Sequence, residues 1–459
     1  MKRILITAME SGAGKTVVSC ALMKAFMNRG LKVEGFKCGP DYIDPMFHRR
    51  VTGTPGYNLD PFLQGSSGPH ELLKRQKADI AVIEGAMGYY DGRGGTQEAS
   101  AYELAAGEKI PVLLVIRPKG NSLTLAAQVN GLKKFRSPDQ IRAIFLTGCS
   151  PSLYRYLKEI LERETGIPVA GFLPVLKEAE LESRHLGLVT AGEMKDLEER
   201  IRMTAETLEN TTDLSLLLKL MDCGAEIPSP EPDKAAAPKA CRIAAAFDEA
   251  FCFYYRRSLE SLAECGASIL YFSPVHDNGL PECDGLYLGG GYPELYAKTL
   301  SGNRSMRKMI RQAVLNGMPT IAECGGFLYL QRELEDAAGQ SWPMAGVLPG
   351  KGYKTDRLVR FGYSYLCPKE DSLLFRKGER IPAHEFHYWD CTENGTDILS
   401  VKGNKTEDKG VPCGFIRSSL YAAFPHLYLD GELPLAKRFV DAAVIYRERK
   451  QDRGQEDLA

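Results

Sequence analysis

The 459 residues exceed what one ordinary domain accommodates and predict two or three, each large enough for its own core. Charged residues make up 25% and hydrophobic residues 44%, which excludes a disordered chain. A formal net charge of −1 gives no field to gather nucleic acid or an anionic membrane, and the longest apolar run, 110–116, is far short of the ~20 residues of a membrane span.

An apolar strand at Arg3–Thr7 opens the chain. The loop Ala8-Met9-Glu10-Ser11-Gly12-Ala13-Gly14-Lys15-Thr16 follows, then a helical pattern from Val17 to Phe26 that ends at Gly30. Strand, glycine loop, Gly-Lys-Thr and helix form the setting in which backbone N–H groups cradle nucleotide phosphates. Lys15 would meet the terminal phosphates and the Thr16 hydroxyl would hold Mg²⁺. Met9 stands where the strict pattern has its first glycine, and a chance glycine turn is the competing reading.

A second strand, Lys32–Lys37, runs into Cys38-Gly39-Pro40-Asp41-Tyr42-Ile43-Asp44-Pro45. Asp41 and Asp44 suit metal or substrate contact at the carboxyl end of a parallel sheet, and suit plain turn chemistry equally well. The strand from Asp79 ends at Glu84 and opens a glycine-rich loop to Gly92. Glu84 stands where P-loop enzymes hold a second acid for Mg²⁺; the alternative is a solvated strand end. Strands at 110–116, 141–147 and 167–174, a helix at Ser122–Phe135 and helical residues Asp196–Leu220 complete the alternation of a doubly wound, mostly parallel sheet. Residues 225–240, rich in Pro, Ala and charge, read as a linker between domains at 1–224 and 241–449.

The second half restarts with a strand at Arg242–Asp248, a helix at Glu249–Cys265 and a strand at Ser268–Phe272. Gly285–Leu288 leads into Gly289-Gly290-Gly291-Tyr292-Pro293-Glu294, where three glycines free the backbone to approach a ligand or to aim N–H groups at it. Thr320–Glu323, then Cys324-Gly325-Gly326 and Phe327–Leu330, read as a buried strand, a sharp turn and a helix start. A nucleophile wants that setting, because a helix N-terminus lowers a thiol pKa and stabilises an oxyanion. A buried structural cysteine is the alternative. His384-Glu385-Phe386-His387 is no zincin motif, since its histidines stand three apart and no helix is evident. His426, after a strand at Ser418–Pro425, is the best placed of seven histidines to serve the cysteine as base. The charged tail, 450–459, is expected to fray from about Tyr446. Twelve cysteines with no C-x-x-C pair, and Lys15 interrupting any signal-peptide core, predict reduced thiols in the cytoplasm.

SGAGKT (Ser11–Thr16), KCGPDYIDP (Lys37–Pro45), EGAMGYYDG (Glu84–Gly92), RHLGL (Arg184–Leu188), DEAFCFYY (Asp248–Tyr255), GASILYFSP (Gly266–Pro274), LGGGYPE (Leu288–Glu294), AECGG (Ala322–Gly326), RFGY (Arg360–Tyr363) and HEFHY (His384–Tyr388) together resemble the cobyrinic acid a,c-diamide synthase family. GGGYPE and HEFH separate that family from cobyric acid synthases. The resemblance implies a dethiobiotin-synthetase-like P-loop domain followed by a flavodoxin-like, class I-type glutaminase domain. It implies that Cys324 attacks the glutamine amide, that His426 shuttles the proton, and that N–H groups around Gly290, Gly291 and Gly325 hold the oxyanion. In the first domain it assigns Gly12, Ala13, Gly14, Lys15, Thr16 and Lys37 to ATP, Asp41, Tyr42 and Asp44 to a substrate and phosphate loop, and Thr16, Asp44 and Glu84 to Mg²⁺. ATP would phosphorylate a carboxylate and ammonia would displace the phosphate, with the domains packed so that ammonia does not escape. The implied partners are glutamine and a corrinoid, with no nucleic acid and no membrane, in a monomer or homodimer. Hydrogenobyrinic acid and Ni-sirohydrochlorin are alternative acceptors, and a non-catalytic nucleotide-dependent binding protein is the alternative class.

Several positions depart from the family pattern. Arg117-Pro118 replaces Asp-Ala, and Leu146-Thr147-Gly148-Cys149 replaces Leu-Asn-Arg-Val, whose Asn helps read adenine. Ser183 replaces a Pro before RHLGL, and Ala422–His426 matches Ala-Ser-Tyr-x-His loosely. Tyr428 stands where class I glutaminases often carry a Glu, which leaves a Cys–His dyad without a third member.

Overall fold

Seven apolar stretches build the first sheet: β1 (Lys2–Ala8), β2 (Val33–Cys38), β3 (Tyr57–Leu59), β4 (Ile80–Glu84), β5 (Val112–Ile116), β6 (Ile141–Thr147) and β7 (Val169–Leu173). Their order is β3-β2-β4-β1-β5-β6-β7, and every neighbouring pair is parallel. Leu5 packs in a cluster with Phe36, Ile83 and Leu114, whereas Ile4 and Ile6 pack in another with Val18, Leu22 and Val115. Alternation along one strand therefore feeds two cores, and the strands read as continuous apolar runs because both faces are covered. The chain runs from β1 out to β2 and β3, returns at β4 and then crosses β1 to β5, so the direction of winding reverses at β1 and a crevice opens at the carboxyl ends of the strands.

The computed structural model describes residues 1–176, 183–184, 187–188, 196–222, 238–402 and 410–456. The chain divides into two compact units, Met1–Pro232 and Asp233–Ala459. Linker positions 225–237 and His185-Leu186 of the RHLGL segment lie outside the described residues. Among the described residues, no helix is long and apolar enough to cross a membrane.

The second unit is built on a six-stranded sheet in the order Ala267–Phe272, Cys241–Ala246, Gly285–Leu288, Thr320–Glu323, Leu420–Ala423, Phe415–Arg417. All pairs are parallel except the last. A five-stranded sheet follows the order Val411–Cys413, Ile398–Val401, Arg360–Pro368, Ile381–His387, His426–Leu427, and a four-stranded sheet is formed by Ser341–Pro343, Glu333–Glu335, Lys351–Lys354 and Trp389–Cys391. These two sheets have no counterpart in the sequence reading. They matter for the site because the chain leaves the six-stranded sheet at Ala423 and enters the five-stranded one at His426.

Two expectations are corrected here. Residues 249–255 are not helical, and the helix covers only Arg256–Glu264. Asp248 is the reason: its Oδ1 accepts from the N–H of Ala250 and Phe251 and its Oδ2 from Val275 N–H and the Ser273 hydroxyl, fixing a loop. The charged tail does not fray from Tyr446, because one helix runs from Leu435 to Glu456. Its inner face is anchored by buried Phe439, Val440 and Ala443.

Candidate active sites

In the first unit, β1 ends at Ala8 and the chain turns through Glu10–Gly14 into the helix Lys15–Asn28. Gly14 sits at the N-cap with φ 95°, in the left-handed region that favours glycine, and no side chain caps this helix start. The first-turn N–H groups thus face the loop as an anion cradle. Lys15 folds back across it, Nζ donating to the carbonyls of Glu10 (3.1 Å) and Met87 (2.6 Å). Burial, and then the nearby Lys37 ammonium, lower the Lys15 pKa to about 8.

Four elements bring their side chains together beside this loop. The Thr16 hydroxyl donates to Glu84 Oε1 at 2.6 Å and lies 3.5 Å from Asp44 Oδ1. Lys37 on β2 places its ammonium 2.5 Å from Asp44 and 3.3 Å from Glu84. His48, on the helix Ile43–Thr52, sets Nε2 2.8 Å from the other Glu84 oxygen. Burial works against the Glu84 carboxylate, but Lys37, His48 and Thr16 outweigh it and hold its pKa well below the usual range. Burial also opposes the Lys37 ammonium, and Asp44 and Glu84 more than reverse that. Glu84 is therefore a fixed anion and Lys37 a fixed cation at the sheet's carboxyl end.

The remaining residues of the expected nucleotide and substrate loop divide in role. Asp41 Oδ1 accepts from the N–H groups of Ile43 and Asp44, and Asn58 Nδ2 donates to the carbonyls of Gly39 and Asp41. Asp41 thus builds the turn that delivers Asp44, and Tyr42 stands half-buried at the helix N-cap between them. Gly12 has φ 79°, and the carbonyl of Ala13 accepts from the Thr147 hydroxyl at 2.8 Å. Thr147, at the end of β6, thereby ties that strand to the glycine loop. Thr16, Asp44 and Glu84 offer the hard oxygen donors that Mg²⁺ takes, so the donor set fits that ion. Among the described residues no three His, Cys, Asp or Glu side chains form a metal-holding group by themselves.

In the second unit, Thr320–Glu323 ends at Cys324 and the short helix Gly325–Leu330 follows. Cys324 has φ 47° and ψ −101°, a strained conformation for a non-glycine residue. Its N–H donates to Ala423 O at 2.9 Å, and its carbonyl accepts from Leu328 N–H at 3.0 Å. Both ends of the turn are therefore held, and strain at a strand-to-helix turn is what a nucleophile's setting predicts. The expected acidification of the thiol is not found. Burial pushes the Cys324 pKa well up, and Glu294, Glu323 and Glu385 push the same way. The N–H of Gly325 counters them, but at the start of a helix of six residues it does not prevail.

Gly290, Gly291 and Gly325 meet at this turn. A Cβ on Gly325 would lie 3.0 Å from Gly291 N, and one on Gly290 would lie 2.4 Å from His426 Cε1. At Gly291, φ is 155° and a Cβ would fall 2.1 Å from Ala250 O. The triple glycine is thus demanded by close approach of a ring and of another backbone. His426 is buried and pairs across strands with His384, whose pKa burial, and then His426, push down to about 3. The HEFH segment is a strand, so His384 and His387 point to opposite faces. His387 stacks on Phe424 at 3.9 Å, and its Nδ1 lies 2.7 Å from Trp389 O.

Sequence reasoning missed His48 and Glu323. His48 carried no motif, and a lone histidine in a helix reads as packing. Glu323 was in plain view inside AECGG, but its partners lie about a hundred residues away in sequence: Oε1 accepts from Leu427 N–H at 2.9 Å, and Oε2 lies 3.7 Å from His426 Nδ1.

Comparison with known proteins agrees with both halves. Residues 4–189 match the CobQ/CobB/MinD/ParA nucleotide binding domain, and residues 242–433 match the CobB/CobQ-like glutamine amidotransferase domain. A cobyrinate a,c-diamide synthase of Clostridium tetani is 39% identical over 448 residues, covering 96% of this chain and 100% of that protein. The enzyme of that name from Clostridium acetobutylicum is 39% identical over 445 residues, with 96% and 100% covered. That from Thermoplasma volcanium is 34% identical over 460 residues, with 98% and 99% covered. Matched in both domains and along nearly its whole length, the chain belongs to the cobyrinate a,c-diamide synthase family of glutamine amidotransferases.

Proposed function

We propose that this chain amidates the a and c acetate carboxylates of cobyrinic acid, with ATP activating each carboxylate as an acyl phosphate and glutamine supplying nitrogen. What supports this reading most is the presence of two chemistries in one chain: Lys15, Thr16, Lys37, Asp44 and Glu84 gathered at one sheet, and Cys324 and His426 where the chain passes from the six-stranded to the five-stranded sheet. The acceptor is taken from the names of the relatives. A carboxylate is a poor electrophile, so a phosphoryl leaving group is needed. Ammonia is mostly protonated at neutral pH, so its release within the protein keeps it nucleophilic.

In the glutaminase half, Cys324 Sγ attacks the side-chain amide carbon of glutamine. The thiol proton passes through His426 to the departing nitrogen, ammonia leaves, and water hydrolyses the glutamyl thioester. N–H groups around Gly290, Gly291 and Gly325 receive the oxyanion. In the other half, a substrate carboxylate oxygen attacks the γ-phosphorus of ATP and ADP departs. Ammonia then displaces phosphate from the acyl carbon. Lys15 and the helix start at Gly14 neutralise the transferring phosphoryl group, and Lys37 holds Asp44 and Glu84 in place. Mg²⁺, held by Thr16, Asp44 and Glu84, would supply further positive charge to the phosphate oxygens.

Mass spectrometry of cobyrinic acid incubated with the protein, Mg-ATP and glutamine tests the reading. Two amide additions, dependent on both ATP and glutamine, are expected. Hydrogenobyrinic acid and Ni-sirohydrochlorin run in parallel; amidation of one of these alone would replace the proposed acceptor. A second result is expected from Gly290→Ala. Its methyl would push the His426 ring aside, so glutamine-driven amidation should fall about 100-fold while ammonia-driven amidation is retained. Wild-type glutamine dependence in that variant would remove His426 from the reaction.

A further inference from the structure

We propose that Glu323, the residue before Cys324, is the positioning carboxylate of the glutaminase site and fills the role for which Tyr428 has no acid. This role rests on the assignment of Cys324 and His426 given above. Glu323 is 1% exposed. Its carboxyl faces the histidine ring and the backbone that follows it: Oε1 accepts from Leu427 N–H at 2.9 Å, and Oε2 lies 3.7 Å from His426 Nδ1. Tyr287, on the neighbouring strand, donates its hydroxyl to Oε2 at 3.1 Å and locks the carboxyl rotamer.

The opposite edge of the imidazole faces the glycine turn. A Cβ on Gly290 would sit 2.4 Å from Cε1 and 3.3 Å from Nε2. The ring therefore presents Nδ1 to the acid and Nε2 to the site. An acceptor beside Nδ1 favours the tautomer with the proton there, which makes Nε2 the basic nitrogen that takes the thiol proton. Sheet register places the acid. Glu323 pairs with Ala423, so the chain that turns at Phe424-Pro425 returns His426 past the end of the same strand. Ile321 and Glu323 share the strand face opposite Ala322, which sends the acid away from Ala322 and toward Tyr287 and Leu427.

The other groups around the histidine do not take this part. Tyr428 packs its ring on Tyr255 at 5.2 Å. His384, cross-strand from His426, is held neutral by burial. Glu385 turns to the other face of its strand, toward Arg360, His387 and Ser400.

The experiment uses the full chain. Glu323→Gln keeps the shape and an acceptor oxygen but removes the charge. Its kcat for glutamine hydrolysis should fall about 100-fold with the glutamine KM within about twofold. Ammonia-driven amidation by the same preparation should be unchanged. Glu323→Asp, which keeps the charge on a shorter arm, should recover about tenfold of the loss. A kcat within about threefold of the unaltered protein overturns the proposal. So does an equal loss of ammonia-driven amidation, which would make Glu323 a residue of the fold alone. If Glu323→Gln does not accumulate as soluble protein, Tyr287→Phe replaces it: a kcat about tenfold lower at unchanged KM supports the role, and an unchanged kcat overturns it. Failure of the underlying assignment would look different, because Cys324→Ala would then still hydrolyse glutamine.

Discussion

Cys324→Ala is expected to abolish glutamine-driven amidation and to leave ammonia-driven amidation near its original rate. The thiol is the only part of the residue that the proposed chemistry uses. The fold uses its backbone, through the N–H bonded to Ala423 and the carbonyl bonded to Leu328. Alanine keeps both bonds and tolerates φ 47° no worse than cysteine does, since the strain comes from Cβ. The sulfur itself is buried and its ionisation opposed by three carboxyls, so its removal relieves rather than creates a burial problem. Loss of an activated nucleophile costs up to about 10⁶-fold in comparable hydrolases, which here means no measurable glutamine hydrolysis. Parallel assays with glutamine and with ammonium salts check this. Glutamine-driven turnover in the variant would remove Cys324 from the mechanism, and loss of both activities would make it structural. The raised thiol pKa also bears on how the site works. Burial favours the neutral thiol, so the proposed chemistry calls for proton transfer from Cys324 to His426 as the sulfur attacks.

What the sequence revealed follows from the range of each interaction. The glycine loop with Lys15 and Thr16, Glu84 at a strand end and the Cys324 turn are local patterns, in which strand, turn and helix start lie within twenty residues. The parallel sheets were legible because their strands are continuous apolar runs. The five-stranded sheet was not, because Arg360–Pro368 and Ile381–His387 mix polar, aromatic and small residues with no apolar run or clean alternation. The helix expected from Glu249 was stopped by Asp248, a turn former whose four bonds reach to Val275. The third member of the glutaminase group was sought two residues beyond the histidine, where the acid often stands in sequence. The fold brings one from 103 residues earlier, and only the register of Glu323 with Ala423 reveals it.

Lys15→Ala is expected to eliminate amidation with either nitrogen source while glutamine hydrolysis by Cys324 continues. Among the described residues, no carboxylate forms an ion pair with Lys15, although Glu84, Asp44 and Asp91 act on it at longer range. Its ammonium rests on the carbonyls of Glu10 and Met87, whereas Lys37 is already committed to Asp44 and Glu84. Burial and Lys37 lower the Lys15 pKa to about 8, a cost to the cation that a bound polyphosphate reverses. The lysine is therefore poised to gain from nucleotide phosphates, and its removal takes charge from the transferring phosphoryl group. A loss of about 10³-fold or more in amidation is expected, with ammonia unable to rescue it. Lys37→Met would be a poorer probe, since it strands the buried Glu84 carboxylate and costs about 3–5 kcal/mol of stability. The proposed glutaminase residues lie in the second unit and Lys15 lies in the first. Ammonia-driven amidation that survives Lys15→Ala would place ATP activation away from the Gly12–Thr16 loop. Loss of glutamine hydrolysis alongside amidation would show that the glutaminase fires only when the nucleotide site is intact.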